Sequence, residues 1–255
     1  MVPGISLVSI EGSCVMRSLV SAVVFATAVS SVAYADGIPQ RYKEQVCCAP
    51  FSWTGVYIGG HSGWGSMELV VPPGTAGVPS PTGGFWGGQV GANYQFARNW
   101  VVGAEFDSSF ARIEDTKTVP EPFDAHTLIS GTVKLNSLTT LRGRLGFAWD
   151  RTLLYVTGGW AWSEVEVTTA NSNNGGVLPV RIVTDHVTAP GWTVGGGLEM
   201  SLWSNWTGKI EYQLVHSDTI TFKTVGTHVD SIGETGPPVR FDLQTIRIGV
   251  NYLFH

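Results

Sequence analysis

Residues 246–255 read IRIGVNYLFH. Ile246, Ile248, Val250, Tyr252 and Phe254 alternate with Arg247, Gly249 and Asn251. Period two puts the two sets on opposite faces of one strand. One face is apolar and ends in two aromatics. The other carries a charge in mid-strand. A soluble antiparallel sheet buries its apolar face and wets the polar one. A transmembrane barrel turns the apolar face to lipid and the polar face to its lumen. This stretch fits either arrangement, so the rest of the chain decides.

The same alternation recurs upstream. Trp86, Val90, Ala92, Tyr94 and Phe96 oppose Gln89, Asn93 and Gln95. Trp100, Val102, Ala104 and Phe106 oppose Glu105. Leu141, Leu145, Phe147 and Trp149 oppose Arg142 and Arg144. Trp192, Val194, Leu198, Met200 and Leu202 oppose Glu199, while Ile210, Tyr212 and Leu214 oppose Lys209, Glu211 and Gln213. Very short connections join these runs at residues 97–99, 150–151 and 204–205, which suits tight hairpins. Long polar stretches lie at the other ends, at 67–82, 112–134, 170–189 and 223–240. The strands are therefore expected at 53–66, 83–97, 100–111, 135–149, 152–167, 190–203, 206–222 and 241–254. In 152–167, Glu164 and Glu166 continue the face of Leu154, Val156, Trp160 and Trp162, which is read as strand above the membrane or as a bulge.

Three features favour the barrel over a soluble sandwich. Aromatics gather beside the tight turns: Phe96, Trp100, Trp149, Tyr155, Trp203, Trp206, Tyr252 and Phe254 form an expected girdle at the membrane interface. The polar faces carry both signs of charge. Glu105, Asp107, Glu199 and Glu211 match Arg142, Arg144, Lys209 and Arg247, as charges enclosed in a narrow lumen must. Finally, no segment after the N-terminus offers a helical span, so closed strands are the remaining way to satisfy a backbone in lipid. The fold class is all-β: an eight-stranded antiparallel up-and-down transmembrane β-barrel. The last strand must pair with the one beginning at Trp53 to close it.

Composition agrees. The chain is 43% hydrophobic and 14% charged, with a net charge of -5, which argues against disorder and against a nucleic-acid partner. Arg17 precedes the apolar run SLVSAVVFATAVSSVAYA, which ends in an A-x-A-like site at Ala33–Ala35. Residues 1–35 are expected to be a signal peptide cleaved near Ala35, with Met16 as the start of translation. Residues 36–52 are expected to form a periplasmic tail, and 53–254 the barrel. Cys47 and Cys48 are adjacent, so they form no disulfide framework, and no chelating set of cysteines and histidines marks a metal site.

The stretches FSWTGVYIGGHSGWG, TLLYVTGGWAW, GWTVGGGLEMSLW and IRIGVNYLF occur in an order that resembles the alphaproteobacterial small outer-membrane porin-like proteins. That family includes surface antigens and hemin-binding proteins with OmpA-like eight-stranded barrels. The resemblance runs from Trp53 to Phe254. It implies an outer-membrane location in contact with lipid and lipopolysaccharide. It also implies a terminal strand read by the barrel-assembly machinery, although His255 departs from the family's final Phe.

The expected function is a non-enzymatic barrel that stabilises the envelope and exposes loops to a host or envelope partner. Three alternatives remain at this stage. A narrow porin-type pore would use the lumen charges. Capture of hemin or another ligand would use the loops, with His126, His186 and His228 as candidate iron ligands; no other cofactor is expected. A lipid-modifying enzyme finds little support, because His216 and Ser217 alternate in face and are not poised as base and nucleophile.

Overall fold

The computed structural model describes residues 51–72, 78–121, 124–172, 181–225, 232–235 and 237–255. The segments read as signal peptide and nearly all of the periplasmic tail, Cys47 and Cys48 included, lie outside the described residues.

Eight strands close into one antiparallel barrel: β1 (Gly55–Val70), β2 (Thr82–Phe96), β3 (Trp100–Glu121), β4 (Asp124–Trp149), β5 (Thr152–Ser172), β6 (Arg181–Trp203), β7 (Trp206–Ser217) and β10 (Arg240–Phe254). Each pairs with its neighbour in sequence. The seam is β1 against β10, from Val56↔Phe254 to Val70↔Arg240, so the closing stretch is the last stave of the barrel. A small hairpin, β8 (Lys223–Val225) and β9 (Ile232–Thr235), lies between β7 and β10 outside the ring.

The tight turns need backbone that side chains rarely adopt. Ala97, Arg98, Asp150 and Ser204 all have positive φ, between 44° and 68°. Each turn leans on the next hairpin, which offsets that strain. Ala148 N–H donates to the Asn99 carbonyl, Ser201 N–H to the Arg151 carbonyl and Leu253 N–H to the Asn205 carbonyl. Asn99 and Asn205 return side-chain amide bonds to the carbonyls of Ala148 and Leu253.

On the loop side the strands run further than the alternation of apolar-out residues suggests. β3 and β6 hold 22 and 23 residues, and β4 holds 26. At ~3.4 Å per residue and ~40° of tilt, β4 spans roughly 65–70 Å along the barrel axis, against ~25 Å for an outer-membrane apolar band. Much of the stretches 112–134 and 170–189 is therefore sheet rather than loop. Only β7 ends early, at Ser217 instead of 222.

The extension has a physical logic: the apolar face changes sides. In the lower part of β5, Leu154, Val156, Trp160 and Trp162 point outward. Above them Glu164 and Glu166 keep the outward phase, while Val165 and Val167 are buried inside. β5 itself has no bulge. The extra residue is Asn136 on β4, where the β4–β5 register shifts between Leu135 and Ser137. The same inversion appears in β10, where Phe241 and Leu243 point in and Asp242 and Gln244 point out. Below the inversion the chain is an apolar-out barrel. Above it the wall is ordinary water-facing sheet with an apolar interior.

Candidate functional site: the barrel interior

The interior is stacked in three layers. Nearest the turns, Trp53, Val101, Ala148, Leu153 and Tyr155 form a buried apolar cluster, with Phe51 packed against it. Trp53 precedes β1 and folds inward. His255 sits at this end as well, with Nδ1 3.2 Å from the Thr54 carbonyl and its ring edge-on to Phe51.

The charged layer comes next. All eight charged residues read as lumen-facing point inward, and each is 0–4% exposed. Arg142 Nη2 donates to Glu105 Oε1 at 2.5 Å and to Asp107 Oδ2 at 3.0 Å, while Nη1 reaches Glu211 Oε1 at 2.5 Å. Lys209 Nζ lies 2.9 Å from Glu105 Oε2; β7 and β3 are opposite staves, so this pair spans the lumen. Arg247 Nη1 donates to Asp107 Oδ1 at 3.1 Å, and its Nε stands 3.7 Å from Glu211 Oε1. Arg144 pairs with Glu199, which also accepts from Thr207 and Asn251. Every carboxylate thus has a cation within 4 Å, and four charges of each sign cancel.

Neutral donors extend the layer. Tyr57 donates its hydroxyl proton to Glu105 at 2.7 Å. The His61 ring joins Gln89 Oε1 and Ser109 Oγ at 2.9 and 2.7 Å, and Gln89 continues to Asn251. Sequence reasoning missed Tyr57 and His61. Their signal was parity, because both share the inward phase of β1. Glycine makes room for the aromatics here. A methyl at Gly91 would lie 2.4 Å from the Tyr57 ring, and one at Gly197 would lie 2.6 Å from the Tyr155 hydroxyl.

Tyr155 corrects the expected girdle. It is 2% exposed, donates its hydroxyl proton to Glu211 at 2.8 Å and lies under the Arg144 guanidinium, 3.7 Å from the ring centroid. Its neighbours Leu154 and Val156 face outward, so the strand period turns Tyr155 into the lumen. The other seven, Phe96, Trp100, Trp149, Trp203, Trp206, Tyr252 and Phe254, do not share this fate. Six of them are among the large exposed apolar side chains, and Tyr252 packs edge-on between Trp206 and Phe254. A second outward aromatic set lies further from the turns: Trp64, Trp86, Phe110, Trp160, Trp162, Trp192 and Tyr212. The alternation already puts Trp86, Trp160, Trp162, Trp192 and Tyr212 on the apolar face, but not their grouping as a second girdle. Along β2, Trp86 precedes Tyr94 by eight residues on one face, or roughly 20 Å of height. Two aromatic levels at that spacing match the two interfaces of a membrane.

Above the charges lies the third layer, apolar again. Met67, Phe85, Ile113, Leu135, Val215, Phe241 and Leu243 are its buried centre.

His126 lies in β4 and His186 in β6, rather than in loops, and His228 lies outside the described residues. His186 is outward and exposed, 3.8 Å from Glu166. His216 faces outward, stacked on Trp192 and bonded to Asp242 Oδ1 at 2.5 Å. Ser217 points inward and accepts from Phe241 N–H. The two therefore diverge, as their alternation requires.

The chain is similar to known outer-membrane proteins. The chain is 28% identical to the 31 kDa outer-membrane immunogenic protein of Brucella melitensis, over 94% of this chain and 100% of that one. It is also 28% identical to the 25 kDa outer-membrane immunogenic protein of Brucella canis, with the same coverages. Among solved structures, the outer membrane protein OprG of Pseudomonas aeruginosa aligns over 79% of this chain and 97% of that one, at 13% identity and a TM-score of 0.43. The family model for the outer membrane protein beta-barrel domain matches residues 21–254, which takes in every stave of the closed sheet. A ring of apolar-out staves and a family match spanning all of them lead to one assignment: the chain belongs to the outer membrane protein beta-barrel domain family.

Proposed function

We propose that this protein is a non-enzymatic, non-conducting barrel that stabilises the outer membrane and presents its long-strand end to the outside. One observation carries the reading: the charged layer is neutral, buried and capped on both sides by apolar layers. An ion entering this lumen would have to lose its hydration against apolar side chains and then displace an internal salt bridge. Interiors of eight-stranded barrels are filled by side chains, which agrees.

The outward aromatics and apolar band would contact lipid and lipopolysaccharide. The extended β3–β6 wall would meet an envelope or host partner. β10 would serve as the signal for the barrel-assembly machinery, after export and cleavage near Ala35.

Two measurements test the reading. Deleting the gene should sensitise cells to detergent and to EDTA, and plasmid-borne wild type should restore resistance; unchanged sensitivity would count against a stabilising role. Refolded protein incubated with lipid A and phospholipids should leave their mass spectra unchanged. A new lipid mass would instead identify an enzyme.

A further inference from the structure

The third interior layer is not completely filled. A cavity of about 140 Å³ lies between β4, β5, the end of β1 and the segments on either side of the β8–β9 hairpin. Val133, Val167, Ile220, Phe222, Val239 and Phe241 are among its lining residues. Thr169 is the sole polar side chain among the described lining residues. Gly131 gives a second sign of space, because a methyl added there would meet nothing within 4 Å.

Close-packed interiors seldom leave such a volume empty, since its lining forgoes dispersion contacts. Here the walls are held apart. Ile220 and Val239 exchange N–H···O bonds of 2.8 and 2.9 Å, Asp218 N–H donates to the Pro190 carbonyl and Lys223 N–H donates to Asp185 Oδ2. These bonds fix the strap over the mouth while the β4–β5 pairing fixes the opposite wall.

We propose that this chamber binds a hydrocarbon group about the size of a benzene ring. An enclosed apolar cavity of about 150 Å³ accepts benzene, and the space here is of that size although it is partly open. The lining sets its chemistry, because a charged group would lose its water against walls that are apolar apart from Thr169. A free small hydrocarbon and the end of a short acyl chain share this chemistry. The site is independent of the charged layer and does not depend on whether the lumen conducts.

The test is methyl-resolved NMR of the full barrel in lipid nanodiscs, titrated with benzene. The Val133, Val167, Ile220 and Val239 methyls should shift to saturation. Those of Ile248 and Val250, which face lipid, should shift linearly as benzene partitions into the bilayer. Gly131→Phe fills the space and should weaken the saturable response at least tenfold while heat-modifiable gel migration is retained; Val167→Phe serves if that variant fails to fold. Displacement of benzene by hexanoate would identify an acyl end as a ligand, and no displacement would restrict the site to the free hydrocarbon. Linear shifts at every methyl in the wild type, or saturation unchanged by the filling variants, would overturn the proposal.

Discussion

Arg142→Met is expected to lower the unfolding free energy of the refolded barrel by about 3–5 kcal/mol, the cost of removing one partner from a buried ion pair. Arg142 is the hub of the charged layer, since it bonds three of its four carboxylates: Glu105, Asp107 and Glu211. Methionine fills a similar volume and carries no charge. The variant leaves those three carboxylates facing Lys209 and Arg247 alone, with side chains that are almost wholly buried. Urea unfolding in detergent micelles reads the loss directly. Adding Glu211→Gln restores neutrality and should recover part of it, although Tyr155 then loses its charged acceptor. A single variant as stable as wild type would mean that the layer is hydrated and screened.

Val250→Arg is expected to cost about 2–4 kcal/mol, the penalty for Arg at mid-depth on the lipid face of a barrel. Val250 points outward on β10, and its cross-strand partners are Gly60 and Gly208. Neither offers a side chain to pair with a guanidinium. Depth provides the control. Ile246 is also outward, but its partners are Trp64 and Tyr212, both in the loop-side aromatic set. Ile246→Arg should therefore cost only about 0–1 kcal/mol, as near an interface. Equal penalties at the two positions would contradict the placement of the membrane.

Much of this architecture is legible in the bare sequence. Alternation alone gives the inward phase of Glu105, Arg142, Arg247 and their five companions, because period two leaves each residue a choice of just two faces. Which charge meets which is a different matter. Glu105↔Arg142 and Glu211↔Arg247 are cross-strand neighbours, so register yields them. The Lys209–Glu105 pair crosses the lumen and exists only once the sheet has closed, while Arg144 on β4 reaches Glu199 on β6 over the intervening β5.

The errors are equally specific. Tyr155 was assigned by its closeness to a tight turn, when its parity with Leu153 and Thr157 already turned it inward. The stretches 112–134 and 170–189 look like loops because apolar-out alternation stops before them. Their strands continue with the pattern reversed, a reversal that EVEV at 164–167 already shows inside an expected strand. Charged residues that break a lipid-facing stripe can mark the end of the membrane without marking the end of the strand. The chamber leaves no comparable trace in the sequence. It depends on how a strap from the β7–β10 connection, bonded to β6, faces β4 and β5, and no local pattern encodes that.

The central claim is that the lumen is sealed by a neutral salt-bridge layer between two apolar ones. Planar-bilayer recording of the refolded full-length barrel tests it most directly. The account predicts a bilayer at baseline conductance, without discrete openings, at voltages where the membrane itself is stable. Reproducible unitary steps that scale with salt concentration would contradict it.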